Sequence, residues 1–201
     1  MNPFDEKPPA SSPKGRLIQA AIAEIEARGM AKVTVRGVAA AADANIAAVN
    51  YHFGSKERLL DAAREATIQH MLQDTEVYLA SFAEDPLGAL TNVLAYYLEG
   101  AWRYPQMTRA HLYEPFKSDD YTGPFPRLFE AVIQRLQDGL CGAVPDLDPA
   151  TAARRIVAAL SGIFFPACFG GLFTPLNALD SPEKRALYAR EVVEHALTPL
   201  E

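Results

Sequence analysis

The chain has 201 residues, of which 49% are apolar and 22% charged, and its net charge is −6. That is enough apolar matter for one ordinary domain or two small ones, and it excludes wholesale disorder. The acidic balance excludes a protein that coats nucleic acid over its whole surface, yet the charge is uneven: residues 1–60 carry +2 and residues 61–201 carry −8. A basic head on an acidic body suits a local contact with DNA.

The opening stretch, MNPFDEKPPASSPKG, has no apolar run and so no secretory signal. Four of the fifteen prolines and two serines fall within residues 1–13, which predicts a disordered tail. Leu17, Ile18, Ala21, Ile22 and Ile25 then recur at helical spacing, and Arg28-Gly29 ends that first helix. Thr34 is a good N-cap for a short second helix with Val35, Val38 and Ala39 on its apolar stripe. Asp43-Ala44 makes a turn, and Asn45 caps a third helix with Ile46, Val49 and Phe53 on the core side. Gly54 stops it, and Ser55 caps a fourth helix that is expected to reach about Ala83.

Beyond Asp85-Pro86 the pattern stays helical. A fifth helix carries Leu87, Leu90, Leu94, Tyr97 and Leu98, and a shorter one after Pro105 reaches Tyr113. The stretch EPFKSDDYTGPFP, residues 114–126, reads as a loop. Helices follow over about 126–142, 149–169 and 182–197. No alternating strand pattern exceeds four residues and no repeat is visible. The expectation is an all-α protein of about nine helices, divided into a tail (1–13), a helix-turn-helix domain (14–60) and a C-terminal helical bundle (61–201).

Two short helices joined by a tight turn behind a longer one form a helix-turn-helix unit. A recognition helix needs one apolar face for the domain and one polar face for DNA. Asn50, Tyr51 and His52 supply an amide, a phenol and an imidazole for that outer face. An amide can pair with adenine or bind a phosphate oxygen, and the other two suit phosphate or sugar. The small Ala47 and Ala48 permit close approach to bases. Lys56 starts a helix, where a cation and free N–H groups together favour a phosphate. Thr34 and Arg36 are placed to clamp the flanking backbone, and Asn45 completes the expected DNA-contacting set. With few strong base readers, much of the selectivity is expected from DNA shape.

From Gly15 to Leu60 the sequence resembles the TetR family of transcriptional regulators. The likeness lies in the ARG that ends the first helix (27–29), in TVRGVAAAAD (34–43) and above all in NYHFGSKERLL (50–60). By that resemblance Tyr51, His52 and Lys56 are phosphate contacts. Two positions depart from the usual family pattern. Asp43 replaces the common turn glycine, and Asp tolerates the left-handed conformation better than most residues. Asn50 stands where Tyr is common, as in a variant subgroup with Asn-Tyr-His-Phe-Gly-Ser-Lys.

The remaining residues hold no motif of comparable strength. In the family this part binds a ligand and dimerises. Candidate lining for a pocket is Leu90, Leu94, Tyr97, Trp102, Met107, His111, Phe129, Phe165 and Phe169, with Arg109 and Tyr113 as further polar tips. Such a pocket suits a small hydrophobic or aromatic effector. The last two long helices are the expected homodimer interface, through Ile156, Ala159, Leu160, Ile163 and Phe164 on one and Leu187, Val192, Val193 and Leu197 on the other.

Enzyme readings fare poorly: there is no Gly-x-Ser-x-Gly, no His-Glu-x-x-His and no phosphate-cradling glycine loop. Glu191 and His195 share a helix face, but a solvated charged face explains them better than a metal pair. No metal or cofactor is expected. Cys141 and Cys168 read as buried free thiols of a cytoplasmic protein. The longest apolar stretch, residues 158–173, is broken by Gly and Pro and too short to span a bilayer. The sequence therefore points to a homodimeric DNA-binding regulator on a palindromic DNA operator; that it is ligand-responsive and a repressor is what the resemblance implies. The rival reading is a helical small-molecule carrier with a vestigial DNA-binding head.

Overall fold

A computed structural model describes residues 12–176 and 178–197. Residues 1–11 of the expected tail lie outside the described residues. Ser12 is ordered: its hydroxyl accepts from the Gly15 N–H at 3.0 Å and caps α1 (Pro13–Arg28). A 3₁₀ turn (Met30–Lys32) leads to α2 (Val35–Ala41), α3 (Ile46–Phe53) and α4 (Lys56–Leu79). Then come α5 (Pro86–Arg103), α6 (Pro105–Ser118), α7 (Pro124–Ala143), α8 (Pro149–Cys168), the short α9 (Gly170–Phe173) and α10 (Pro182–Leu197). The described residues contain no strand. The all-α expectation holds, with α9 as the helix that sequence periodicity did not resolve.

Two boundaries differ from expectation. Helix α4 stops at Leu79, and α6 runs through Pro115 to Ser118, into the stretch expected to be a loop. Pro115 removes one backbone donor without unwinding the helix. The helix ends where Asp119 turns left-handed at φ 52°.

The chain groups into two compact units. One is Met1–Gln73 with Tyr104–Pro126; the other is Asp74–Arg103 with Arg127–Glu201. Helix α4 passes unbroken from the first to the second at Gln73–Asp74.

In the first unit, α1 packs against α2 and α6, and α2 against α3. Its core gathers Leu17, Ala21, Ile25, Val38, Val49 and Phe53, together with Leu59 and Ala63 of α4 and Met107 and Ala110 of α6. The approach of α1 to α2 is close: a Cβ at Gly37 would meet Glu24 Oε2 at 3.0 Å. In the second unit, α5, α8 and α10 pack on one another. Leu90, Leu94 and Leu98 of α5 and Ile156, Leu160 and Ile163 of α8 are almost wholly buried there. Arg185 of α10 is buried too. It donates to Glu99 at 2.6 Å and to the Leu179 carbonyl at 2.9 Å, and lies 5.4 Å from the centre of the Trp102 ring. Helix α8 is long and apolar enough to cross a membrane by length and composition, but its inner face is occupied by α5 and α10.

Candidate nucleic-acid interface

Each helix of the N-terminal motif is started by its own side chain. Thr34 Oγ1 accepts from the Gly37 N–H at 3.0 Å, Asn45 Oδ1 from the Ala48 N–H at 2.7 Å, and Ser55 Oγ from the Arg58 N–H at 3.2 Å. Each bond satisfies one of the donors a helix start leaves open. Asp43 takes φ 50° and closes the turn between α2 and α3, as its short polar side chain allows. Gly54, at φ 78°, ends α3 and donates to the Asn50 carbonyl at 2.9 Å.

These devices fix which side of α3 faces outward. Val49 and Phe53 are buried. Ala47, Asn50 and Tyr51 are exposed, and Tyr51 reaches 86% exposure, more than any other large apolar or aromatic side chain described. Tyr51 packs edge-on against His52 at 5.1 Å between ring centres, and His52 lies 6.3 Å from Phe53. A buried ring thus supports the half-buried imidazole, which in turn supports the phenol. Ile46, expected on the core side, is 41% exposed because it opens the helix ahead of the first buried turn.

Of the other expected DNA contacts, Arg36 is exposed on α2 and Lys56 is half-buried in the first turn of α4. The side-chain oxygens of Thr34 and Asn45 are committed to capping. What remains for DNA from Asn45 is its amide N–H₂. Glu57, beside Lys56, has its carboxyl held below the usual range by a backbone N–H and by the Ser55 hydroxyl.

One residue of this unit was not legible in sequence. The Glu26 carboxylate of α1 accepts from the backbone N–H groups of Met107 at 2.9 Å and Gln106 at 3.3 Å, at the start of α6. The positive end of α6 is therefore held by a carboxylate of α1 within the same unit. The partners are some 80 residues apart, so no local signal announces the pair.

The nine residues expected to line a pocket are not gathered in one place. Leu90, Leu94 and Tyr97 are buried in the second unit, where the Phe164 ring lies 6.3 Å from Tyr97 and 5.3 Å from Phe129. The Tyr97 hydroxyl pairs with Thr75 at 2.7 Å, and burial pushes its pKa up to about 12. Trp102 lies under Arg185. Met107 and His111 belong to the first unit, Met107 in its core. His111 bonds Thr67 at 3.0 Å and stacks on Phe125. Phe165 and Phe169 point to solvent at 56% and 46% exposure. Arg109 and Tyr113 are exposed.

The residues expected at a dimer interface divide similarly. Ile156, Ala159, Leu160, Ile163 and Val193 are buried in the second unit's own core, and Phe164 contacts Tyr97 and Phe129. Val192 lies against Gly162, where a Cβ would meet it at 3.1 Å. The carbonyl of Leu197 accepts from Arg155. Leu187 alone is strongly exposed. Cys141 and Cys168 form no disulfide and are half-buried. No cluster of metal-ligating side chains occurs among the described residues.

Residues 17–63 match the family described as bacterial regulatory proteins, tetR family. The chain is 26% identical over 151 residues to the HTH-type transcriptional regulator BetI of Paraburkholderia phytofirmans, covering 75% of this chain and 76% of that protein. Among solved structures it resembles the transcriptional regulator FadR of Bacillus subtilis in complex with stearoyl-CoA, with a TM-score of 0.66 and 15% identity over 92% of this chain and 98% of that one. It also resembles the multidrug binding protein EbrR complexed with imidazole, with a TM-score of 0.61 and 22% identity over 94% and 97%. These structural likenesses establish the fold.

Proposed function

Because the chain belongs to the TetR family of transcriptional regulators, a non-enzymatic family of DNA-binding proteins, we propose that it is a homodimeric repressor, which binds a palindromic operator and is released by a small hydrophobic or aromatic effector. The observation that carries this reading is the outward face of α3, with Ala47, Asn50 and Tyr51 exposed on a helix capped at both ends. A helix of this length fits a major groove. Tyr51, His52, Lys56 and Arg36 hold the phosphates, while Asn50 and Ala47 meet base edges.

One such helix buries too little surface for specific affinity. Two related by a two-fold axis reach successive major grooves about 34–36 Å apart, or a multiple of that. The second copy is placed on the outward face of α8 and on the short helical turns after it. Val157, Phe165, Phe169, Leu172 and Leu176 are 46–69% exposed there, and Leu187 of α10 is 53% exposed. Apolar side chains in that number favour a covering protein surface over water. The expected residues on the inner faces of α8 and α10 act behind it, holding the two helices together.

The effector is placed in the second unit, among Tyr97, Phe129 and Phe164 and the buried Leu90 and Leu94. The bound stearoyl-CoA and imidazole of the two structural neighbours support a small-molecule ligand in this architecture. Effector binding changes the course of α4, the helix common to both units, and with it the spacing of the two α3 helices. For release to occur, the effector must bind the DNA-incompetent state more tightly than the competent one. The intact caps of α2, α3 and α4 give no support to a carrier with a vestigial head.

Selection of genomic fragments on the purified protein tests the proposal. Enrichment of an inverted repeat is the expected result. Recovery of unrelated fragments only, from protein freed of any co-purified small molecule, would overturn it.

A further inference from the structure

Two basic side chains of the first unit are held by acids of their own helices. Arg28 is paired with Glu24 at 3.1 Å, and Arg64 with Asp61 at 2.5 Å. Lys14, Lys56 and Arg58 have no ion pair among the described residues, and all three lie around the C-terminal end of α3. Lys14, in the first turn of α1, places its ammonium 5.9 Å from the centre of the Phe53 ring, the last residue of α3. The Arg58 guanidinium lies 3.8 Å from where a Cβ at Gly54 would be, one residue further on. Lys56 sits between them in sequence, and Tyr51 and His52 stand one turn back on α3.

Arg58 would ordinarily take Asp61, three residues along the same face of α4, but Arg64 holds that carboxylate. The nearest remaining acid in this turn is Glu57, whose carboxylate is turned to the helix start and the Ser55 hydroxyl. The acid within reach of Arg58 along its own helix is thus taken by Arg64, and Arg58 and Lys14 stand exposed beside the end of α3. Ser12 and Ser55 fix the starts of α1 and α4, so both cations are carried on ordered first turns and not on loops.

We infer that Lys14 and Arg58 are DNA-backbone contacts, which extend the phosphate clamp of Tyr51, His52 and Lys56 from α3 and α4 onto α1. This inference rests on the reading of α3 as the groove-entering helix. Neither contact selects a sequence. Both bind through displaced counterions, so their contribution falls as salt rises, and it applies to any duplex.

That property allows a test without knowledge of the operator. Affinity for a labelled duplex of random sequence is measured by fluorescence anisotropy across a salt series. Wild type is compared with Lys14→Ala, Arg58→Ala, the double variant and Arg190→Ala, which removes the same formal charge from an exposed site on α10 in the second unit. Each lost contact is expected to flatten the slope of log affinity against log salt by about 0.9, with Arg190→Ala matching wild type. Lys14→Arg and Arg58→Lys keep the charge and should retain the wild-type slope. Equal slopes in the double variant and wild type, with duplex binding intact, would overturn this inference and leave the reading of α3 standing. If wild type itself shows no salt-dependent binding to duplex, that reading fails and this one with it.

Discussion

Helices α3 and α8 arrange the same kinds of residue in opposite ways. In α3, Val49 and Phe53 turn inward and the outer face is an amide, a phenol and small side chains. In α8, Ile156, Ala159, Leu160 and Ile163 turn inward, and the outer face is apolar again, with Val157 and Phe165. A polar outer face carries hydrogen-bonding groups toward a hydrated partner such as DNA. An apolar outer face has nothing to offer water and is stabilised only when another apolar surface covers it. The contrast separates by chemistry the two partners proposed for this protein.

The strongest way to break that contrast is to shorten one side chain on each face of α8. Leu160→Ala is expected to cost about 2–5 kcal/mol of unfolding free energy in urea, since it opens a cavity in a filled core. Phe165→Ala should leave the stability of the dissociated chain within about 0.5 kcal/mol and shift the monomer–dimer equilibrium toward monomer in sedimentation. Equal destabilisation by the two would remove the distinction between the faces.

Acid sharpens the comparison from the side of the first unit. Burial, assisted by the charge of Arg64, pushes the His111 pKa from 6.5 down to about 4. The unfolded chain takes up this proton near pH 6.5 and the folded chain refuses it until about pH 4. Stability present above pH 6.5 is therefore lost as pH falls toward 4, by on the order of 3 kcal/mol from this group alone. His111→Gln should flatten that part of the stability–pH curve, whereas a curve of unchanged steepness would remove His111 as its cause.

On the outer face of α3 the expected effects are smaller and fall on binding. Tyr51→Ala should weaken duplex binding by about 1–2 kcal/mol at unchanged thermal stability; loss of stability instead would make Tyr51 a packing residue. Asn45→Ala removes the cap of α3 and should cost about 1 kcal/mol of stability. Asn45→Asp keeps an oxygen in place and should restore it.

Much of the first unit was legible in the sequence because its signals are local. A cap and its helix start lie three residues apart, as at Thr34, Asn45 and Ser55, and Asp43 announces its turn by its own chemistry. The second unit was legible as helices and less so as faces. When a helix is apolar on two sides, as α8 is, spacing cannot say which side meets the core, and Ile156 and Phe165 look alike. Contacts between distant segments left no trace at all: Glu26 at the start of α6, Lys14 beside Phe53, and Met107 within the core of the first unit. The dividing line expected near Leu60 moved for the same reason, since α6 supplies part of that core.

Met107 and Ala110 complete a core begun by Leu17 and Ile25. The first unit is therefore discontinuous in the order of synthesis. A ribosome that has released residues 1–60 has released all of the helix-turn-helix and still lacks one wall of its core. Until α6 leaves the exit tunnel, the apolar sides of α1 and α4 meet water or a chaperone. The protein acquires its complete first unit only after more than half of the chain has been made.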